Sequence, residues 1–193
     1  NVSALAGALG AADVIALGPG LGQGRWGHAL FDETLDAAGV AGTPLVLDAD
    51  ALNLLAARPR ALPAGAVLTP HPGEAARLLD SATAEIQRDR PAAVRALAAR
   101  WNAVVVLKGA GTLVCAPGGL PWLVAAGNPG MATGGMGDVL TGVLAALRAQ
   151  GLDAEQAAVC GALLHAVAGD AASRTSGERG LLPGDLIDVL RAC

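Results

Sequence analysis

Gly127-Asn-Pro-Gly-Met-Ala-Thr-Gly-Gly-Met-Gly-Asp138, running directly into the apolar segment Val139 to Leu147, decides how this chain is read. Val139, Leu140, Val143, Leu144 and Leu147 recur at helical spacing, so the glycines end where a core-facing helix begins. A glycine run entering a helix leaves backbone N–H groups unpaired and gathered at the positive end of the helix dipole, which makes a site for an anion. The amides of Gly135, Met136 and Gly137 are therefore placed to form an anion hole around a phosphoryl group. Asp138 stands beside them, where it can take a proton from a hydroxyl attacking that phosphorus. A plainer reading stays open, in which the glycines are a flexible loop and Asp138 caps the helix.

Composition narrows the choice. The 193 residues favour one domain with one sizeable core. Hydrophobic content of 53% without an apolar run of bilayer length points away from the membrane. A net charge of −4 and the lack of a basic cluster point away from nucleic acid. Cys115, Cys160 and Cys193 form no CxxC pair and no even disulfide set, which fits a reducing, cytoplasmic setting. Lys108 is the single lysine among thirteen basic residues, a hint that a compact ammonium is needed there. The chain opens on Asn1, and strand-like sequence starts within the first fifteen residues, so it reads as a fragment of a longer polypeptide.

Outward from the central stretch, the same pattern repeats along the chain. Residues 1 to 12, rich in Ala and Gly, read as helical. Asp13 to Leu17 reads as a buried strand that breaks at the glycine loop 18 to 22, before a helix over Trp26 to Ala38 that carries His28 as a structural residue. That loop lacks GxGxxG spacing, and a tight strand-to-helix turn explains it as well as a ligand does. Pro44 to Leu47 is a second strand, handing over to a helix at Ala51 to Ala57. Ligands of open α/β sheets gather at the C-terminal strand ends, so Asp48, Asp50 and Asn53 face the edge that holds the glycine loop. Asp50 reads as an N-cap, and Asp48 as the better functional contact, through water or magnesium. A third strand ends at Thr69-Pro-His-Pro-Gly-Glu74, where Pro70 and Pro72 stiffen the chain around His71 and Glu74 enters the next helix. His71 is open to a substrate-contact and to a structural reading.

A helix over Pro91 to Trp101 leads to Val104-Val-Val-Leu-Lys108, the unbroken run of a strand buried on both faces. Gly109-Ala-Gly111 turns it back as a hairpin through Ala116, and Pro121 to Val124 adds a further strand. After the central helix, a second apolar helix spans about Asp153 to Ala172 with His165 as a structural residue; Ser173 to Gly180 reads as a loop, and Leu182-Pro-Gly-Asp185 opens a last helix.

Five motifs now stand in order: GPGLG at 18–22, LDADALN at 47–53, LTPHPGE at 68–74, LKGAGT at 107–112 and GNPGMATGGMGDVLTG at 127–142, followed by GLLPGDL at 180–186. Together they resemble the ADP-dependent NAD(P)H-hydrate dehydratases, a branch of the ribokinase-like superfamily, over nearly the whole chain. The resemblance implies an α/β fold, a three-layer α/β/α sandwich with a mostly parallel central sheet, built as a single domain over 1–193 that lacks the N-terminal elements of its family. It implies a repair lyase that restores NADH and NADPH from their hydrates, with ADP as phosphoryl donor, Mg2+ as cofactor, and AMP and phosphate released. Lys108, Gly109, Ala110, Gly111, Thr112 and Gly137 match the family's nucleotide-binding positions. Gly20, Gly22, His71 and Asp138 match those around the hydrate, and Asp138 is the catalytic base. A homo-oligomer follows from the family, and an epimerase domain fused N-terminally is allowed by it. The alternatives are a small-molecule kinase of the same superfamily and a nucleotide-binding fragment without turnover.

Overall fold

The computed structural model describes residues 5–191. Six strands form one sheet in the order β1 (Ile15–Leu17), β2 (Leu45–Leu47), β3 (Val67–Leu68), β4 (Val104–Leu107), β5 (Thr112–Cys115) and β6 (Trp122–Val124). The first four run parallel, and β5 and β6 return antiparallel. The hairpin expected over 104–116 is β4–β5. Of the N-terminal helical expectation, α1 (Ala6–Gly10) is present, and residues 1–4 lie outside the described residues.

The order of the strands explains the layers. Each parallel neighbour follows its predecessor in sequence, and right-handed crossovers then put every connecting helix on the same face. These are α2 (Arg25–Ala41), α3 (Ala49–Ala57), α4 (Pro72–Leu79), α5 (Thr83–Arg88) and α6 (Arg90–Trp101). Leu45, Leu47, Leu68, Val105 and Leu107 point into that layer and share its core with Phe31, Leu55, Leu78 and Leu97. The opposite face presents Val46, Val67, Val104, Val106 and Val114, and is covered by α7 (Met136–Ala149) and α8 (Ala154–Ser176). Alternate residues of one strand thus serve two cores, and β4 is buried at every position, as its unbroken apolar run requires. A smaller cluster joins Met136, Ala168 and Ala172 to Leu181 and to Leu186 of α9 (Pro183–Leu190).

Local chemistry sets the ends of these helices. Gly42 (φ 69°) and Asn102 (φ 46°) close α2 and α6 in the left-handed region. Asp153 and Gln156 form a capping box at the start of α8, and Pro183 opens α9. Two boundaries differ from the sequence reading. The residue before α3 is Asp48 rather than Asp50, and α8 continues to Ser176, so the expected loop from Ser173 is shorter by one helical turn. Arg174 in that last turn suits the negative end of the helix. On α7 the buried face is Met136, Leu140, Thr141 and Leu144, which brings a threonine to a position that hydrophobic spacing assigned to none of the core.

Leu144 is fully buried between α8 and the valine face of the sheet. Leu144→Ala should lower unfolding free energy by about 2–5 kcal/mol, read as an earlier urea midpoint at unchanged m-value.

Candidate active site

The site forms where the C-terminal ends of the parallel strands meet the N-terminus of α7. Asp48 ends β2 with its carboxylate 1% exposed, a cost that burial imposes unless the charge is paired. It is paired twice. Lys108, just past β4, donates from Nζ to Asp48 Oδ1 at 2.6 Å, and Thr141 of α7 donates from Oγ1 to Oδ2 at 3.0 Å. Glu74 Oε2 lies 3.8 Å from the same ammonium. The lone lysine therefore faces two acids, and space explains its slimness: a Cβ at Gly137 would stand 3.3 Å from Nζ and 3.4 Å from Asp48 Oδ2. The glycine of α7 thus leaves room beside the pair for a compact ammonium, which is narrower than a guanidinium.

Ala49, at φ 46°, turns the chain directly after Asp48, a left-handed conformation that costs a non-glycine residue about 1–2 kcal/mol. The turn sends two acids to opposite duties. Asp48 points inward, and Asp50 reaches the glycine loop, accepting from Gly22 N (2.9 Å) and Gln23 Nε2 (2.9 Å). Asp50 is thus a tether for the loop and not the cap read from sequence. The Gln23 amide, helped by the Gly22 N–H, holds its carboxyl below the ordinary carboxylate value. Gly18 packs so closely that a Cβ there would lie 1.7 Å from Asp48 O, which explains the first glycine of GPGLG by packing alone.

His71 is held by its own helix end. Its Nδ1 accepts from Gly73 N at 2.9 Å, and Glu74 Oε2 accepts from His71 N at 2.7 Å, a reciprocal cap with Pro72 at the first helical position. Nδ1 is consequently unprotonated. The cap fixes the ring, beside the two prolines that stiffen the backbone.

At the start of α7, Gly135 is left-handed (φ 90°), where a side chain would meet Pro183 Cγ at 2.9 Å. Of the three amides assigned to an anion hole, that of Met136 donates to Thr133 O at 3.3 Å. Those of Gly135 and Gly137 have no acceptor among the described residues, and neither have those of Gly134 and Asp138. The open cradle is therefore Gly134, Gly135, Gly137 and Asp138. The loop before it is anchored to α8: Asp170 accepts from Gly127 N and from Asn128 Nδ2, both at 3.0 Å. Asn128 in turn caps the short 3-10 turn Pro129–Met131 through Gly130 N.

A cavity of about 810 Å3 opens between this loop and the β4–β5 turn. It is lined by Lys108 through Thr112, by His71, by the loop Gly127 to Gly137, and by Leu140 and His165. Asp138, exposed, follows the last lining glycine and stands at the rim rather than in the wall. Gly20 and Gly22 lie outside the lining as well, on the loop tied by Asp50. Of the sequence-named residues, His71, Lys108 to Thr112 and Gly135 to Gly137 line the cavity, and Gly20, Gly22 and Asp138 do not.

Sequence reasoning passed over Thr141, Asp170 and the role of His165. A threonine amid apolar neighbours on α7 was the available signal for the first. His165 lies against the cavity with Nε2 2.9 Å from Met136 O, so Nε2 carries the proton and donates. Burial pushes its pKa below the ordinary value, and the charge of Lys108 adds to the effect. The folded protein thus refuses a proton that the unfolded chain accepts below about pH 6.5, so the stability contributed by neutral His165 is complete above that pH and lost as pH falls further. Wild type should therefore lose stability from about pH 6.5 downward more steeply than His165→Gln, measured by thermal unfolding across pH.

Fold and site together define a ribokinase-like α/β protein with a glycine cradle at a helix N-terminus. The NAD(P)H-hydrate dehydratase family matches residues 2–192, and the chain belongs to it. The chain is 47% identical over 183 residues to the bifunctional NAD(P)H-hydrate repair enzyme of Coxiella burnetii, covering 95% of this chain and 36% of that one. It thus spans about a third of that relative's length. Among solved structures, the ADP/ATP-dependent NAD(P)H-hydrate dehydratase of Bacillus subtilis, co-crystallised with ATP and Mg2+, superposes with a TM-score of 0.83 at 31% identity, covering 96% of this chain and 67% of that one. A ribokinase-like superfamily protein of Enterococcus faecalis gives 0.88 at 29% identity, covering 98% and 65%.

Proposed function

We propose that this chain is a dehydratase domain that converts (S)-NADHX and (S)-NADPHX back to NADH and NADPH, consuming ADP and releasing AMP and phosphate. The observation that carries the reading is the row of unpaired amides at Gly134, Gly135 and Gly137 between a large cavity and the exposed Asp138, in a member of the dehydratase family. Nucleotide on one side of that row and hydrate on the other would meet at its phosphate.

In this reading ADP occupies the cavity, against Lys108, Gly109, Ala110, Gly111, Thr112 and Gly137. The hydrate lies on the other side of the cradle, near Gly20 and Gly22, and His71 meets it from the cavity wall. Asp138 takes the proton of the ring hydroxyl as its oxygen attacks the terminal phosphorus, and the bond from that phosphorus to the AMP oxygen breaks. The amides of Gly135 and Gly137 hold the charge that gathers on the transferred group, aided by the dipole of α7. Phosphate then leaves the ring carbon with the bonding electrons, a neighbouring ring proton departs, and the double bond returns. The cavity holds no tyrosine or phenylalanine, so the adenine would rest on aliphatic side chains and backbone. No group of three or more His, Cys, Asp or Glu side chains among the described residues could hold a metal. Magnesium fits this site only as a companion of the nucleotide phosphates, its common mode of binding. Asp48, engaged by Lys108 and Thr141, is a structural partner and not its ligand.

The reading extends to a homo-oligomer acting in the cytoplasm, and to an arrangement beside an epimerase domain. A relative named bifunctional, of which this chain spans 36%, supports the last. No helix among the described residues is long and apolar enough to cross a membrane.

The decisive assay follows reduced-nicotinamide absorbance on NADH hydrate with magnesium and ADP, ATP or no nucleotide. The signal should return with ADP together with stoichiometric AMP and phosphate, and stay flat without nucleotide. A stable phosphorylated product would instead establish a kinase, and ADP binding without product a binding module. Asp138→Asn should reduce turnover by at least about a hundredfold, as loss of a general base does, while calorimetry shows ADP affinity retained. Lys108→Arg should weaken ADP binding and lower stability, because the wider head cannot occupy the gap beside Gly137.

A further inference from the structure

The Lys108–Thr112 turn forms one wall of the cavity, and a single side chain behind it makes more bonds to that turn than any other. Arg90, the first residue of α6, donates from Nη2 to Leu107 O (3.2 Å) and Gly111 O (3.1 Å), and from Nη1 to Lys108 O (3.4 Å). Nη1 also reaches Gln87 Oε1 at 3.3 Å. The three backbone acceptors span both arms of the β4–β5 hairpin, a reach that a planar guanidinium has and an ammonium lacks. Gly109, at φ 145°, lies flat against it: a Cβ there would stand 2.8 Å from Nη1.

Arg90 occupies this place against local preference. A cation in the first turn of a helix opposes the helix dipole, and α6 has no acidic residue in that turn to offset it. Asp89 meets the free amide of Ala92 instead. Part of the guanidinium is also withdrawn from water, which lowers its pKa. Nothing in the packing of α6 demands such a residue. The bonds to the turn do.

The consequence for the cavity follows from peptide geometry. In a trans peptide the C=O and the next N–H point in opposite directions, so fixing the carbonyl of Lys108 on Arg90 aims the Gly109 N–H away from it. That amide has no acceptor among the described residues, nor have those of Ala110 and Gly111. Three neighbouring amides are left open in the cavity wall while the carbonyls of the turn are held behind.

We propose that Arg90 is a positioning residue for the nucleotide: by binding the carbonyls of Leu107, Lys108 and Gly111 it holds the turn in the shape whose open amides receive ADP. This rests on the assignment of ADP to the cavity. Arg90 touches neither nucleotide nor hydrate, and acts through the backbone.

The test measures ADP binding by calorimetry, steady-state kinetics, and amide hydrogen exchange of the 108–112 segment in wild type, Arg90→Ala and Arg90→Lys. Arg90→Ala should weaken ADP binding and raise KM for ADP by about tenfold or more, the worth of one well-placed bond, with KM for the hydrate little changed. Exchange should quicken at 108–112 and stay as it was in the cores. Arg90→Lys should recover little, and millimolar guanidinium added to Arg90→Ala should restore part of the ADP affinity. Unchanged ADP affinity in Arg90→Ala, or a loss that falls equally on both substrates with faster exchange throughout, overturns the proposal while wild-type turnover leaves the dehydratase reading standing. Wild type that binds no ADP removes that reading first, before any variant is made, and this proposal with it.

Discussion

One buried carboxylate holds the C-terminal strand ends and the glycine cradle of this protein together. Asp48 is fixed at the end of β2, and its two oxygens are taken by residues from distant parts of the chain, Lys108 beyond β4 and Thr141 inside α7. The first bond sets the height of the β4–β5 turn, and the second sets the depth at which α7 docks on the sheet. An unpaired charge in this position would cost several kcal/mol, so the three elements are compelled to meet. The glycine cradle at the N-terminus of α7 is held over the strand ends as a result. Gly137 is what permits it, since any side chain there would press on both members of the ion pair.

Around that node the site is built almost wholly of backbone. Gly135 and Gly137 offer amides, the turn at Gly109 to Gly111 offers more, and the side chains nearby chiefly hold these peptides in place: Asp170 the start of the glycine loop, Asp50 the loop at Gly22, His165 the carbonyl of Met136. A site made of amides binds phosphate by geometry and has few side chains to lose.

Much of the fold could be read from the chain. Short apolar runs ending in Gly, Asp or Pro marked β1 to β4, because parallel strands buried on both faces need no alternation to be seen. The glycine run before an amphipathic segment located the N-terminus of α7. What stayed hidden were pairings across sequence. Asp48 was visible as a residue after a strand, but its partners lie 60 and 93 residues away. Asp50 looked like a cap because a cap is the local use of an acid before a helix; a tether to a loop 28 residues earlier has no local mark. Met136 counted as one more amide in the cradle until the loop folded its N–H onto Thr133. Arg90 ends the polar run Gln87-Arg-Asp-Arg90 and His165 stands between Leu164 and Ala166, and neither setting tells what the side chain faces.

The placement of helices on the sheet also bears on how the molecule comes into being. The layer from α2 to α6 is assembled from consecutive strand–helix units, each able to pack on the one before as the chain lengthens. The valine face of the same sheet is covered by α7 and α8, which come last but one in the order of elements. The helix that closes this face is also the helix that bears the glycine cradle. The packing that closes the second core is thus the packing that sets the cradle in place, and the two are lost together when α7 comes away from the sheet.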